Sequence, residues 1–106
     1  MTMVKEIAGK QIDFDSEGFM TDLNQWSEDV AAELAQVVGI DQLSDDHWNI
    51  IKFSREDYQI QGTSPTLRRI KTESGVPIKQ IYKLFPKKPA KKVAFIAGLP
   101  KPTGCV

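Results

Sequence analysis

The chain has 106 residues, of which 41% are hydrophobic and 26% are charged, and its formal net charge at pH 7 is zero. This length and composition are typical of one soluble globular domain with a single hydrophobic core. No apolar run approaches the roughly 20 residues that span a bilayer, and residues 1–6 lack the apolar segment of a signal peptide. We therefore expect a cytoplasmic protein with no membrane association.

The zero net charge hides two halves of opposite sign. Residues 1–60 contain thirteen acidic and four basic residues, whereas residues 61–106 contain one acidic and ten basic residues, so the halves carry −9 and +9. This distribution favours docking to an anionic partner, either a nucleic acid or an acidic protein surface. The alternative is that the halves fold against each other and partly neutralise each other.

The chain begins with a pattern typical of a small β-hairpin. Ile12 and Phe14 alternate with polar residues after Gly9 and Lys10, which we predict to form the turn. Because a two-stranded hairpin is not stable alone, we expect it to pack on helices.

Five helices are predicted from capping residues, apolar spacing and Gly or Pro stops. They lie between Ser27 and Gly39 (about 28–38), Ser44 and Gly62, Ser64 and Gly75, Pro77 and Pro86, and Pro89 and Gly98. The second is apolar over a wide arc, which predicts a central place in the core. The predicted fold class is mainly α with a small N-terminal β-hairpin, with the helices in an orthogonal bundle.

The third and fourth predicted helices, residues 64–85, have the outline of a helix-turn-helix. Gly75 lies in the turn, and both helices carry basic residues. Any helical hairpin with a glycine turn gives the same pattern, so two interpretations stay open. Arg68 and its basic neighbours either contact DNA or form ion pairs with the acidic half.

The last nine residues, 98–106, contain the one cysteine of the chain, Cys105, together with two prolines and two glycines. We predict a single domain with a body of residues 1–97 and a semi-stiff arm of residues 98–106. At roughly 3.1 Å per residue, such an arm places the sulfur about 20–25 Å from the body. The alternative is a disordered terminus whose thiol has no role.

Conventional catalytic and metal sites have little support in the sequence. One Cys and one His supply neither an internal disulfide nor a structural zinc site, and the acidic residues lack the spacing of a calcium loop. We therefore expect no metal and no cofactor. His47 precedes Trp48 near a helix start and is interpreted as a capping or packing residue. A thiol that carries sulfur as a persulfide remains, because a carrier needs reach more than local activation.

Several motifs together resemble the DsrC/TusE family. They are the ending Lys92–Val106, the stretch Leu84–Lys91, the block Asp46–Trp48, Ser64–Pro65 with Arg68, and Asp15–Phe19 with Trp26–Glu28. The resemblance implies a small, mostly helical fold with an N-terminal hairpin and a mobile C-terminal arm. It also implies that Cys105 carries sulfur, as a sulfurtransferase-type carrier and not as a stand-alone enzyme.

The resemblance further implies partners for this carrier. The donor would be a complex of the TusBCD or DsrEFH type, and the acceptor a tRNA 2-thiouridylase or a sulfite reductase. We expect a monomeric body, and the candidate docking residues are Lys101, Lys91, Lys92, Arg68 and Gly104.

The sequence departs from the family pattern at three places. DsrC members have a second arm cysteine eleven residues before the last one, where this chain has Ala94, so the resemblance implies that no intramolecular disulfide forms. The loop 73–77 is shorter than in the family, and Lys88 lies where the family tends to have glycine. These departures leave open whether the setting is tRNA thiolation or dissimilatory sulfur metabolism. A DNA-binding regulator and a non-redox subunit associated with dissimilatory sulfite reductase are the alternative functions.

Overall fold

A computed structural model describes residues 3–102 and begins with an antiparallel hairpin. Strand β1 (Met3–Ile7) pairs with β2 (Lys10–Phe14), with Ile7 opposite Lys10. The turn residues are Ala8 and Gly9, whose φ values of 53° and 79° match the turns that suit twisted strands. The predicted hairpin is confirmed, and its turn lies one residue earlier than predicted.

In the part of the chain that the structure describes, five helices follow the hairpin, as predicted, so the mainly α fold class is confirmed. They are α1 (Glu28–Val37), α2 (Asp45–Gln61), α3 (Leu67–Ser74), α4 (Ile78–Leu84) and α5 (Pro89–Ile96), and a short 3-10 turn covers Leu23–Gln25. Ser27 and Ser44 cap α1 and α2 through their hydroxyl groups. Within residues 3–102, no helix combines the length and the apolar character needed to cross a membrane.

The start of α3 differs from the prediction. Its N-cap is Thr66, whose side chain accepts a hydrogen bond from the Arg69 backbone N–H, and not Ser64. The Ser64 hydroxyl donates instead to the carbonyl oxygen of Pro100, at 2.5 Å. Both hydroxyl residues beside Pro65 fit a helix start locally, and the partner that Ser64 takes instead is 36 residues away, where no local pattern indicates it.

Among the described residues, the buried apolar side chains form two clusters. The smaller group joins the hairpin to α1 and consists of Ile12, Phe14, Met20, Val30 and Leu34. The larger group joins the helices, and its fully buried members include Ile50, Ile51, Ile70, Ile81, Phe85, Val93, Ile96 and Leu99. Helix α5 contacts each of the other four helices, so its C-terminal end is held by the whole bundle.

Candidate functional site

Residues 98–102, the first part of the predicted arm, pack against the body, and we call them the arm root. Leu99 has none of its surface exposed, and Gly98 and Pro102 are also buried. The predicted boundary between body and arm at residue 97 therefore does not match the packing of residues 98–102. The rest of the predicted arm, which contains Gly104 and Cys105, lies outside the described residues.

The arm root begins with a hydrogen-bonded turn at the end of α5. Gly98 has a φ of 71°, its N–H donates to the Phe95 carbonyl, and the Leu99 N–H donates to the Ala94 carbonyl at 2.9 Å. These two bonds are those of a Schellman motif, which reverses the chain and brings the following apolar residue onto the helix. Leu99 therefore enters the core.

Two side chains hold the carbonyl groups at this end of α5. Trp26 Nε1 donates to the Ile96 carbonyl at 2.8 Å, and Arg55 Nη1 donates to the Ala97 carbonyl at 2.7 Å. The Arg55 guanidinium also lies 4.1 Å from the centre of the Trp26 ring and donates to the Leu23 carbonyl. Burial lowers the pKa of Arg55, but a guanidinium remains protonated in a folded protein. A fixed positive charge thus lies where the helix dipole favours one.

Close packing also fixes the path of the arm root. A Cβ atom on Gly98 would lie 2.7 Å from Trp26 Cδ1 and 3.1 Å from Met20 Sδ. Two residues later, the bond from Ser64 to Pro100 ties the chain to the loop before α3. The direction in which the chain leaves Pro102 is therefore set by contacts with several elements.

The anchored root shortens the reach of the sulfur. Pro102 and Cys105 are three residues apart, and an extended chain covers at most about 3.6 Å per residue, so their Cα atoms lie within about 11 Å of each other. This is about half of the roughly 20–25 Å expected for an arm that is free from Gly98 onward. Any protein that reacts with the Cys105 thiol must therefore come close to the body.

A groove of about 390 Å³ lies along α5, and we call it the lysine groove. Its apolar surface belongs to Phe19, Val38 and Phe95, and its rim consists of Glu17, Lys87, Lys88, Lys91 and Lys92. Glu17 Oε2 lies 3.5 Å from Lys101 Nζ, so this rim is joined to the arm root.

The structure brings some of the predicted docking residues together and separates others. Lys91 and Lys92 line the lysine groove, and Lys101 contacts its rim through Glu17. Arg68 is exposed on α3 and is not part of the groove lining.

The hydrogen bonds of His47 connect two helices of the body. Its Nδ1 accepts the Ser44 backbone N–H at 3.0 Å, and its own backbone N–H donates to Ser44 Oγ, which completes a capping box at the start of α2. Because Nδ1 accepts, Nε2 carries the proton and donates to the Leu84 carbonyl at 2.8 Å. The imidazole thus joins the start of α2 to the end of α4. Among residues 3–102, no three His, Cys, Asp or Glu side chains form a group able to hold a metal ion.

The sequence interpretation missed the side chains that hold the arm root. Trp26 appears only within the family-like motifs, and Ser64 appears there and as a predicted helix start. No pattern assigns either of them a contact with the C-terminal segment. Arg55 has no local signal, because its two carbonyl partners are 32 and 42 residues away. Only the folded chain brings these groups together.

Comparison with known proteins gives consistent similarities along nearly the whole chain. Residues 6–106 match the family model described as "DsrC like protein". Sulfurtransferase TusE of Salmonella typhimurium is 42% identical over 105 residues, which cover 92% of this chain and 95% of that protein. The crystal structure of dissimilatory sulfite reductase I (DsrI) aligns with a TM-score of 0.86 and 37% identity over 98% of this chain and 100% of that one. The NMR structure of Allochromatium vinosum DsrC aligns with a TM-score of 0.81 and 39% identity over 100% of both chains.

Proposed function

Because the chain belongs to the DsrC-like family, we propose that it is a sulfur-relay protein that carries a persulfide on Cys105 and passes the sulfur between partner proteins. The relatives support a role in sulfur relay, since one is named a sulfurtransferase and another is DsrC. The observation that carries the proposal is that the family match extends through residue 106 and so includes the single cysteine of the chain.

The proposed transfer is a pair of thiol exchange steps. The Cys105 thiolate attacks the terminal sulfur of a donor persulfide, so a new S–S bond forms on Cys105 while the S–S bond of the donor breaks and a donor thiolate leaves. An acceptor thiolate then attacks the terminal sulfur of the Cys105 persulfide and restores the Cys105 thiolate. One sulfur atom moves in each step, and no external oxidant or reductant is consumed.

In this proposal, the body of the protein positions the C-terminal segment and supplies a charged surface beside it. The arm root sets where the chain leaves the body, and Lys91, Lys92 and Lys101 supply positive charge on the neighbouring surface. We propose a donor of the TusBCD or DsrEFH type and, as acceptor, a tRNA 2-thiouridylase or a sulfite reductase. Arg68 and Gly104 remain candidate docking residues.

The first test is intact-mass analysis after incubation with a persulfide donor. We expect the wild-type chain to gain one sulfur atom that a thiol reductant removes, and we expect Cys105→Ser to gain none, because it lacks the nucleophile. A gain that persists in Cys105→Ser would contradict the assignment of this residue. No gain with several competent donors would contradict the carrier function itself.

Two alternatives predict different outcomes. A non-redox subunit of a reductase would keep assembly and turnover in Cys105→Ser. A DNA-binding regulator would bind duplex DNA with sequence preference and lose affinity in Arg68→Ala. The DNA interpretation has less support because Arg69, its neighbour on α3, forms a bidentate pair with the buried Asp57, with N···O distances of 2.6 and 3.0 Å. The hydrogen bond to Asp57 raises the pKa of Arg69 and keeps this cation directed at the protein.

A further inference from the structure

We infer that the lysine groove binds an acidic segment of a partner protein, with one apolar side chain of that segment seated between flanking carboxylates. The inference rests on the proposed relay, since the partner is a protein that exchanges sulfur with Cys105. It adds to the relay the chemistry by which the partner is recognised.

The apolar surface of the groove suits a single large side chain. Phe95 packs edge to face against the buried Phe19, with ring centres 6.2 Å apart at 86°, so Phe19 supports the Phe95 ring from the interior. Phe95 and Val38 are only partly buried, which leaves apolar surface open to the groove. The volume of about 390 Å³ is large enough for a Leu or Phe side chain and part of its main chain.

The rim gives the site its charge preference. Within residues 3–102, the ion pairs are Lys52–Glu28, Arg69–Asp57 and Lys101–Glu17, so no acidic side chain of this part of the protein pairs with the four rim lysines. Lys92 Nζ donates to the Pro86 carbonyl, which orients the ammonium group without neutralising it. Carboxylates on both sides of an apolar residue complement this arrangement of charge around an apolar surface.

The location of the lysines strengthens this preference. Lys91 and Lys92 lie in the first turn of α5, where the helix dipole is positive and cations are unfavourable. An anionic occupant relieves this repulsion as well as pairing with the ammonium groups.

The same surface is poorly suited to RNA. Proteins that bind single-stranded nucleic acid stack bases on exposed aromatic faces along a continuous basic track. Here the Phe19 side chain is only 2% exposed, and Glu17 places a carboxylate on the rim. A protein segment can place its apolar residue beside Glu17, whereas a nucleic acid carries a negative charge at every nucleotide.

The position of the groove connects it to sulfur transfer. Its rim residue Glu17 contacts Lys101 of the arm root, and Cys105 is four residues further along the chain. Because the anchored root keeps the Cα atom of Cys105 within about 11 Å of the Cα atom of Pro102, a partner needs a binding surface close to the root. The lysine groove provides one.

Binding of a synthetic peptide tests the inference on the full chain. The probe is the peptide Asp-Glu-Phe-Glu-Asp, followed by NMR of the ¹⁵N-labelled protein, and its comparison peptide carries alanine in place of phenylalanine. We expect saturable shifts that centre on residues 87–95, with about fivefold weaker binding of the alanine peptide because it buries less apolar surface.

Two charge-reversal variants separate local docking from the general field of the protein. Lys88→Glu with Lys91→Glu changes the groove, and Lys79→Glu with Lys83→Glu makes the same change of charge on α4, outside the groove lining. We expect about tenfold weaker peptide binding in the groove variant and less than about twofold in the α4 variant. Circular dichroism checks that both remain folded.

Three outcomes would overturn the inference. They are no saturable binding by the wild-type protein, equal weakening in both double variants, and displacement of the peptide by a lower concentration of single-stranded oligouridine RNA. Loading of Cys105 from inorganic polysulfide, followed by intact mass on the same proteins, reports separately on the relay. If the wild-type protein loads sulfur but does not bind the peptide, the proposed binding role of the lysine groove is refuted and the relay stands. If the wild-type protein does not load sulfur, the proposed function is refuted.

Discussion

Two consecutive lysines, Lys87 and Lys88, have an unusual backbone conformation between α4 and α5. Their φ values are 61° and 49°, in the left-handed region, and Lys88 is the N-cap of α5 without a side-chain hydrogen bond to the helix. An L-residue in this region costs roughly 1–2 kcal/mol, because its Cβ crowds the backbone, and glycine avoids the conflict. The structure thus gives a physical reason for the glycine that the family resemblance indicates at position 88.

The variant Lys88→Gly should therefore be more stable than the wild-type protein. We expect a gain of about 1 kcal/mol in the free energy of unfolding, or about 4–8 °C in Tm, measured by circular dichroism. The control is Lys71→Gly in α3, where the same substitution lies in a regular helix and should lower stability by about 1 kcal/mol. A Tm for Lys88→Gly at or below that of the wild-type protein would contradict the strain argument.

At the scale of single elements, the sequence predicted what local interactions decide. The turn of the hairpin, the serine caps of α1 and α2 and the glycine that ends α3 all depend on residues within about four positions. The arm root depends on distant partners instead. Leu99 stands between Gly98 and Pro100 and so looks like part of a linker, although its burial requires a space that the other elements create. The hydrogen bonds from Trp26 and Arg55 to the end of α5 also join distant parts of the chain, so no local pattern predicts them.

The element most dependent on close packing is the turn at Gly98. We predict that Gly98→Ala lowers the free energy of unfolding by about 2–4 kcal/mol, because the new Cβ lies in a left-handed conformation and also meets Trp26 at 2.7 Å. The matched control is Gly75→Ala. Its φ of 77° is similar to the 71° of Gly98, but a Cβ there meets no atom within 4 Å, so we expect a loss of only about 1 kcal/mol. Equal losses in urea denaturation would show that the Trp26 contact adds nothing.

At the scale of the whole molecule, the ion pairs of residues 3–102 neutralise little of the opposite charge that the two halves carry. Of the three ion pairs within residues 3–102, two join the acidic and basic halves, Arg69–Asp57 and Lys101–Glu17, while each half carries a net charge of nine. The molecule measures 35 × 28 × 21 Å, which is several times the Debye length of about 8 Å at physiological salt. Charges on different sides of the molecule therefore act on partners almost independently, and the lysine groove can attract an acidic protein even though the net charge is zero.

This charge separation predicts that protein partners and small donors respond differently to salt. We expect the rate of sulfur transfer from a protein donor to Cys105 to fall about tenfold between about 50 and about 500 mM NaCl, because salt screens the attraction that brings the two proteins together. Loading from glutathione persulfide should change by less than about twofold, since it needs no docked complex. Rapid-quench sampling with intact-mass detection measures both rates.

The double variant Lys88→Glu with Lys91→Glu is the control. It should flatten the salt dependence of transfer from the protein donor and leave loading from glutathione persulfide unaffected. Equal salt dependence for the two donors would contradict this prediction. It would show that salt acts on the thiol reaction itself, because the reaction with glutathione persulfide involves no docking.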